Sequence, residues 1–211
     1  MNQTQAATPV LIASALTPGF DDPVLDAQAC FRAVLDAMSR PGRLLRLAVP
    51  PEPPSGLSPA AAAVLLTLAD ADTPLRLAAG PVAEAWARFH CGAPPAEAAE
   101  ALFVLDAEAR IAALHPGTDE EPETGATLIL EVAGFLEGAD VAEGTGWRLT
   151  GPGIECEHRL AVIGAPPGFL GADFLADWAA NGARYPRGVD VILCAGDSIA
   201  ALPRTTRIKA L

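Results

Sequence analysis

The chain is almost without lysine: of its 14 basic residues only Lys209 is one, and the rest are arginines. A Walker A loop places a lysine after its glycines, and a pyridoxal phosphate (PLP) enzyme holds its cofactor on a lysine. Lys209, at the C-terminal end of the sequence, suits neither role, so neither chemistry is expected here. Basic charge is scarce too. A net charge of −12 and a pI near 4.5 argue against nucleic acid and anionic membrane as partners, since both need a basic surface. Arginines gathered locally would still suffice for a phosphorylated small molecule. Aromatic residues make up only 5% of the chain, so Ala, Leu and Val carry an apolar content of 51%. The four cysteines, Cys30, Cys91, Cys156 and Cys194, show no C-x-x-C spacing. They read as free thiols and not as a disulfide framework. Long hydrophobic runs are missing as well: the run after Ser58 ends at Asp70, short of a membrane span. The opening residues carry an Ala13-Ser14-Ala15 triplet like a signal-peptidase site, but no positive charge precedes it, and Thr8 and Pro9 interrupt the apolar patch. Residues 1–20 are therefore expected to be a docked arm, and the protein to be cytoplasmic.

What is present alternates helices and strands. Asp22-Pro23 and Ser58-Pro59 each pair an N-cap acceptor with a proline at the first helical position. They predict helices through Met38 and to Leu68. Pro81 opens a third helix to Cys91, Asp106 a fourth ending near Leu114, and Gly171 to Ala180 a fifth. Strands are expected at Arg43–Val49, Leu75–Ala79, Phe103–Leu105, Ala126–Val132, Trp147–Thr150 and Ile154–Ile163, with an acidic loop over Asp119 to Glu123. Val189 to Ala195 is a near-continuous apolar run, the pattern of a strand buried on both faces. Gly196-Asp197 turns it into a second strand, Ile199 to Leu202, which Pro203 ends. The order predicts one α/β domain over 1–211, with a mixed sheet covered on both faces.

Directly after that hairpin come Arg204, Thr205, Thr206 and Arg207. Guanidinium forks match phosphate oxygens in pairs and the hydroxyls add donors, so this is the candidate ligand- or partner-binding site. The competing reading is a terminal strand whose arginines pair with surface carboxylates, and composition favours it. Thr150-Gly151-Pro152-Gly153-Ile154 reads as a tight turn between strands. Arg88-Phe89-His90-Cys91 and Glu155-Cys156-Glu157-His158 each set a histidine beside a cysteine, but neither supplies the four ligands of a zinc site. Asp70 and Asp72 are first of all turn residues. No metal site and no catalytic residue is assigned.

Six segments in register carry a family resemblance. They are Phe31-Arg32 with Ala37 to Gly42, Leu65 to Pro74, Arg88-Phe89-His90, Gly125 to Leu128, Leu149 to Ile154, and Gly188-Val189-Asp190 with Pro203 to Thr206. Together they resemble the H subunit of the bacterial carbon–phosphorus lyase system. The resemblance implies a three-layer α/β/α sandwich akin to PLP-dependent transferases without the cofactor. It also implies a homodimer that assembles with the G, I and J subunits. With G and I, the family takes part in replacing the adenine of ATP by an alkylphosphonate, giving a ribose 1-phosphonate 5-triphosphate, with MgATP as substrate of the complex. The J subunit's radical chemistry needs a cysteine-ligated cluster that this chain lacks. An assembly subunit without ligand, and an independent phosphate-ester enzyme, are the alternatives.

Overall fold

The computed structural model describes residues 17–169 and 172–211; the first sixteen residues of the expected arm, with the Ala13 triplet, lie outside them. Four α-helices stand among the described residues: α1 (Leu25–Ser39), α2 (Pro59–Leu68), α3 (Pro81–Cys91) and α4 (Ala172–Gly182). The starts at Ser58-Pro59 and Pro81 hold, and the one expected at Asp22-Pro23 falls two residues later. Ser58 Oγ accepts the Ala61 N–H at 3.1 Å with Pro59 at the first helical position. The Asp22 carboxylate accepts from the Val24 and Leu25 amides, both at 3.0 Å, and α1 begins at Leu25, two residues after Pro23.

Six strands form one mixed sheet: β1 (Leu45–Arg46), β2 (Leu75–Leu77), β3 (Phe103–Leu105), β4 (Thr127–Glu131), β8 (Asp190–Ala195) and β9 (Ser198–Leu202), in the order β1-β9-β8-β4-β3-β2. From β2 to β8 the pairing is parallel, and the β8–β9 hairpin and β1 continue it antiparallel. The central strand β8 alternates between two cores. Ile192 and Cys194 join Ile129, Ile199 and the helices α1, α2 and α3 on one side. Val191 and Leu193 face the opposite way, toward Leu128, Leu130, Trp178 and Leu160. Burial on both faces is why this run carries no polar alternation.

The expected α/β/α stack needs correction on that second side. Only α4 stands there among the described helices, beside a second, wholly antiparallel sheet. Its strands are β5 (Gly134–Glu137), β6 (Trp147–Thr150), β7 (His158–Ile163) and β10 (Arg207–Ala210), in the order β10-β6-β7-β5. Trp147, Leu149 and Leu160 point inward from it and meet Phe169, Phe174 and Trp178, with the Trp147 and Phe174 rings stacked at 5.1 Å between centroids. Three further expectations shrink. The helix after Asp106 becomes a single 3-10 turn at Ile111–Ala113, because the Asp106 carboxylate closes a local turn on the Glu108 amide at 2.9 Å and also takes Arg76 Nε at 3.3 Å. The strand expected over Arg43–Val49 is reduced to β1, and the one from Ile154 starts only at His158.

Candidate functional site

The four residues singled out after the hairpin go to different places. Arg204 turns inward: its side chain is 13% exposed and faces Asp190, at 15%, at the start of β8. Arg204 Nη2 donates to Asp190 Oδ2 at 2.6 Å, Nε lies 3.2 Å from both carboxylate oxygens, and the Arg204 backbone N–H adds a bond to Oδ1 at 2.7 Å. Its remaining head, Nη1, donates to the Pro122 carbonyl at 2.8 Å and to that of Pro186 at 3.3 Å. The guanidinium thus ties β8, the loop closing at Gly125 and the turn before Gly188 into one joint. The close approach needs glycine: a Cβ at Gly125 would run into the Gly188 carbonyl and sit 3.1 Å from Arg204 Nη1. Asn181 braces the same joint from α4, accepting the Val189 N–H at 2.7 Å and donating to its carbonyl at 2.8 Å.

Thr206 is buried at 3%; its carbonyl accepts the Trp178 indole N–H at 2.7 Å, while its hydroxyl has no partner among the described residues. Arg207 is exposed on β10, and Thr205 is half-buried. Around them lies an open cleft of about 630 Å³ between α4 and β10, with Tyr185 and Ala183 on its other wall. What remains for a ligand or partner there is Arg207, the Thr205 hydroxyl and exposed Tyr185 over a mostly apolar floor, with Arg204 held from behind.

A second cleft, about 600 Å³, opens where the Arg40–Arg43 turn meets the loop between β6 and β7. Gly153 has φ +81, and a Cβ there would strike the Ser39 carbonyl, so two of the family-like segments touch backbone to backbone. His158 opens this cleft toward chemistry. Its Nε2 lies 3.1 Å from the Gly42 carbonyl and 3.4 Å from Glu137 Oε2, and that carboxylate also accepts the Leu44 N–H at 3.1 Å. Two acceptors at Nε2 place the proton there, which leaves Nδ1 as the basic nitrogen of the neutral ring. The sequence offered His158 only as a zinc partner of Cys156; its carboxylate neighbour sits on β5, a strand that no pattern announced.

The other histidine–cysteine pair separates. His90 Nε2 and Trp86 Nε1 both reach the Thr17 carbonyl, at 2.9 and 3.1 Å, and anchor the incoming chain, whereas Cys91 Sγ points to the Leu65 carbonyl at 3.6 Å. Burial, reinforced by Asp70, pushes the Cys91 thiol up to about 11. Burial likewise raises Cys30 and, more strongly, Cys194, so these three are core thiols and not nucleophiles. Asp70 closes its own turn, accepting the Asp72 N–H at 2.9 Å and the Thr73 hydroxyl through its carbonyl at 2.9 Å. Among the described residues no three His, Cys, Asp or Glu side chains gather as a metal cluster. No helix among them is long and apolar enough to cross a membrane.

A family model described as bacterial phosphonate metabolism protein (PhnH) matches residues 18–209. The chain belongs to the PhnH family. A Rhizobium meliloti (strain 1021) protein named alpha-D-ribose 1-methylphosphonate 5-triphosphate synthase subunit PhnH is 36% identical over 198 residues, 90% of this chain and 94% of the relative. A Stutzerimonas stutzeri protein named putative C-P lyase subunit protein HtxG is 37% identical over 188 residues, 86% of this chain and 85% of its own length. Glycine-dependent joints stand at Gly125 and Gly153. Both lie inside the segments that carried the resemblance, and both serve architecture.

Proposed function

We propose that this chain is the accessory PhnH subunit of a ribose 1-methylphosphonate 5-triphosphate synthase in phosphonate catabolism. It works in the cytoplasm as a homodimer with the G, I and J subunits and carries no PLP; MgATP is a substrate of the complex. The carrying observation is the likeness to the Rhizobium meliloti subunit over 94% of that protein's length. Its fold is read as the PLP-dependent transferase type stripped of its cofactor, supported by the parallel run β2-β3-β4-β8 under helices and by the lack of any interior lysine. Assembly is supported by the outer side of α1, where Phe31 and Leu35 stand exposed one turn apart, an apolar pair that suits a subunit contact. The cleft between α4 and β10 is the docking place for an anionic group or a partner segment, through Arg207 and Thr205, with Arg204 and Thr206 supporting from the interior.

The decisive experiment removes the gene from a host that grows on methylphosphonate as sole phosphorus source. This chain should restore growth, and a tagged copy should bring down the other synthase subunits. Failure of both would reject the reading. The subunit without ligand and the one that contributes to the site differ in a second measurement, calorimetric titration of MgATP into the isolated protein and into the complex. His158 with Glu137 supports a direct contribution: His158→Gln should lower synthase turnover in the complex while leaving assembly intact.

A further inference from the structure

The antiparallel register of the second sheet lines up like charges. Lys209 on β10 lies directly opposite Arg148 on β6, and Arg148 lies directly opposite Arg159 on β7. Residues opposite one another in antiparallel strands project from the same face, so three cations stand side by side across three strands. One step along, Arg207 lies opposite Thr150, adding a fourth cation to that face. The inward face holds Trp147, Leu149 and Leu160, so the cationic row faces away from the core. Neutralisation is partial. Arg148 and Arg159 share Glu157, at 3.4 and 3.6 Å, and Arg159 also reaches Glu143 at 3.0 Å; Lys209 and Arg207 make no ion pair among the described residues.

A like-charge row set in direct opposition destabilises a sheet. A chain of net charge −12 has carboxylates enough to avoid it, yet places four of its cations together. On the same face, Ile163 further along β7 from Arg159 and Leu136 on the neighbouring β5 are exposed at 47% and 41%, Leu136 being paired with Ala161, two residues past Arg159. Cations beside exposed aliphatic side chains on a sheet surface make a protein contact: small-molecule sites are concave, whereas interfaces combine an apolar patch with complementary charge. A second copy using this face on itself is ruled out by the charge. A two-fold contact would set cationic row against cationic row.

We propose that the outer face of the β10-β6-β7-β5 sheet docks an acidic surface of another subunit of the synthase, whose carboxylates meet Lys209, Arg148 and Arg159. The inference rests on the reading that the chain works inside that complex. It extends that reading to a surface that borders the first cleft at Arg207 and the second at Glu157. The tension in the free subunit supplies a signature that a purely structural role lacks. Arg148→Glu turns both like-charge oppositions into attractive ones and gives up only the exposed Arg148–Glu157 pair, so the isolated variant should melt within about 2 °C of the wild type while it loses its partner.

The test co-expresses wild type, Arg148→Glu and Arg148→Glu/Lys209→Glu with the other synthase subunits, and measures retained partner and melting temperature. Retention should fall about tenfold or more in the double variant. The wild-type contact should weaken between about 0.05 and about 0.5 M salt. Arg148→Gln should show an intermediate loss. Retention within about twofold of wild type for the double variant overturns the proposal, as does a loss of retention that merely follows a lowered melting temperature. Loss of inorganic triphosphate binding with partner retention intact also overturns it, by making the row a small-anion site. If the wild type retains no subunit at all, the proposed function falls and this inference with it; retention by wild type and variants alike sinks this inference alone.

Discussion

Replacing Arg204 by methionine separates its two possible roles, holding the fold or binding an anion. The side chain forms a two-pronged pair with Asp190, both partners being under one-sixth exposed, at 13% and 15%, and it satisfies the Pro122 carbonyl. Deleting one partner of such a buried pair leaves an uncompensated charge and costs about 3–5 kcal/mol. For a chain of this size each kcal/mol lowers the melting temperature by about 2–4 °C, so Arg204→Met should melt about 6–20 °C below wild type. Arg204→Lys should fall between, since it keeps the charge beside Asp190 but loses the fork. Changing Asp190 to leucine as well should recover only part of the loss, because the Asp190 carboxylate also accepts the Arg204 backbone N–H at 2.7 Å. Arg207→Met, at an exposed position, should stay within about 0.5 kcal/mol. The assay is thermal unfolding followed by circular dichroism. An Arg204→Met protein melting within about 2 °C of wild type would refute the structural assignment and return Arg204 to the list of ligand-binding candidates.

Four further outcomes are expected. Gly153→Ala places a side chain at φ +81 against the Ser39 carbonyl; it should cost about 1–3 kcal/mol from the backbone alone, and more from the clash, read as a lowered denaturant midpoint. Asn181→Ala leaves the buried Val189 N–H and carbonyl without partners, so it should cost about 2–5 kcal/mol and speed amide exchange at Val189. Iodoacetamide should modify exposed Cys156 rapidly and spare the buried Cys30 and Cys194, with mass spectrometry counting the adducts. The Cys91 thiol titrates near 11 folded against 9.0 unfolded, so its share of stability is whole below pH 9.0 and drains away as pH rises toward 11. Cys91→Ala should therefore flatten the alkaline decline in melting temperature.

Much of the fold can be read from local signals. Ser58-Pro59 and Gly80-Pro81 fix the starts of α2 and α3, and the unbroken apolar run of β8 announces a strand between two layers. In the second sheet β6 and β7 are legible in the same way, whereas β5 and β10 escape such reading for physical reasons. β5 is only four residues between glycines, and β10 pairs with a strand more than fifty positions earlier. Neither has a periodicity long enough to register. The candidate site is legible in part. Guanidiniums and hydroxyls after the hairpin do mark a cleft wall, but nothing local reveals that Arg204 has a carboxylate fourteen residues back along the chain. The His158–Glu137 pairing is hidden for the same reason, since it exists only once β5 and β7 are adjacent.

The solitary lysine has a practical consequence. With one side-chain amine in the molecule, on the edge strand β10, an amine-directed fluorophore, cross-linker or sensor surface addresses that strand and no other element of the two sheets. Coupling the protein to a surface by such chemistry would bury the cationic face against the support and blunt any contact made there. Used in solution, the same chemistry becomes a footprint: acylation of Lys209 should be fast on the free chain and slow wherever something covers β10.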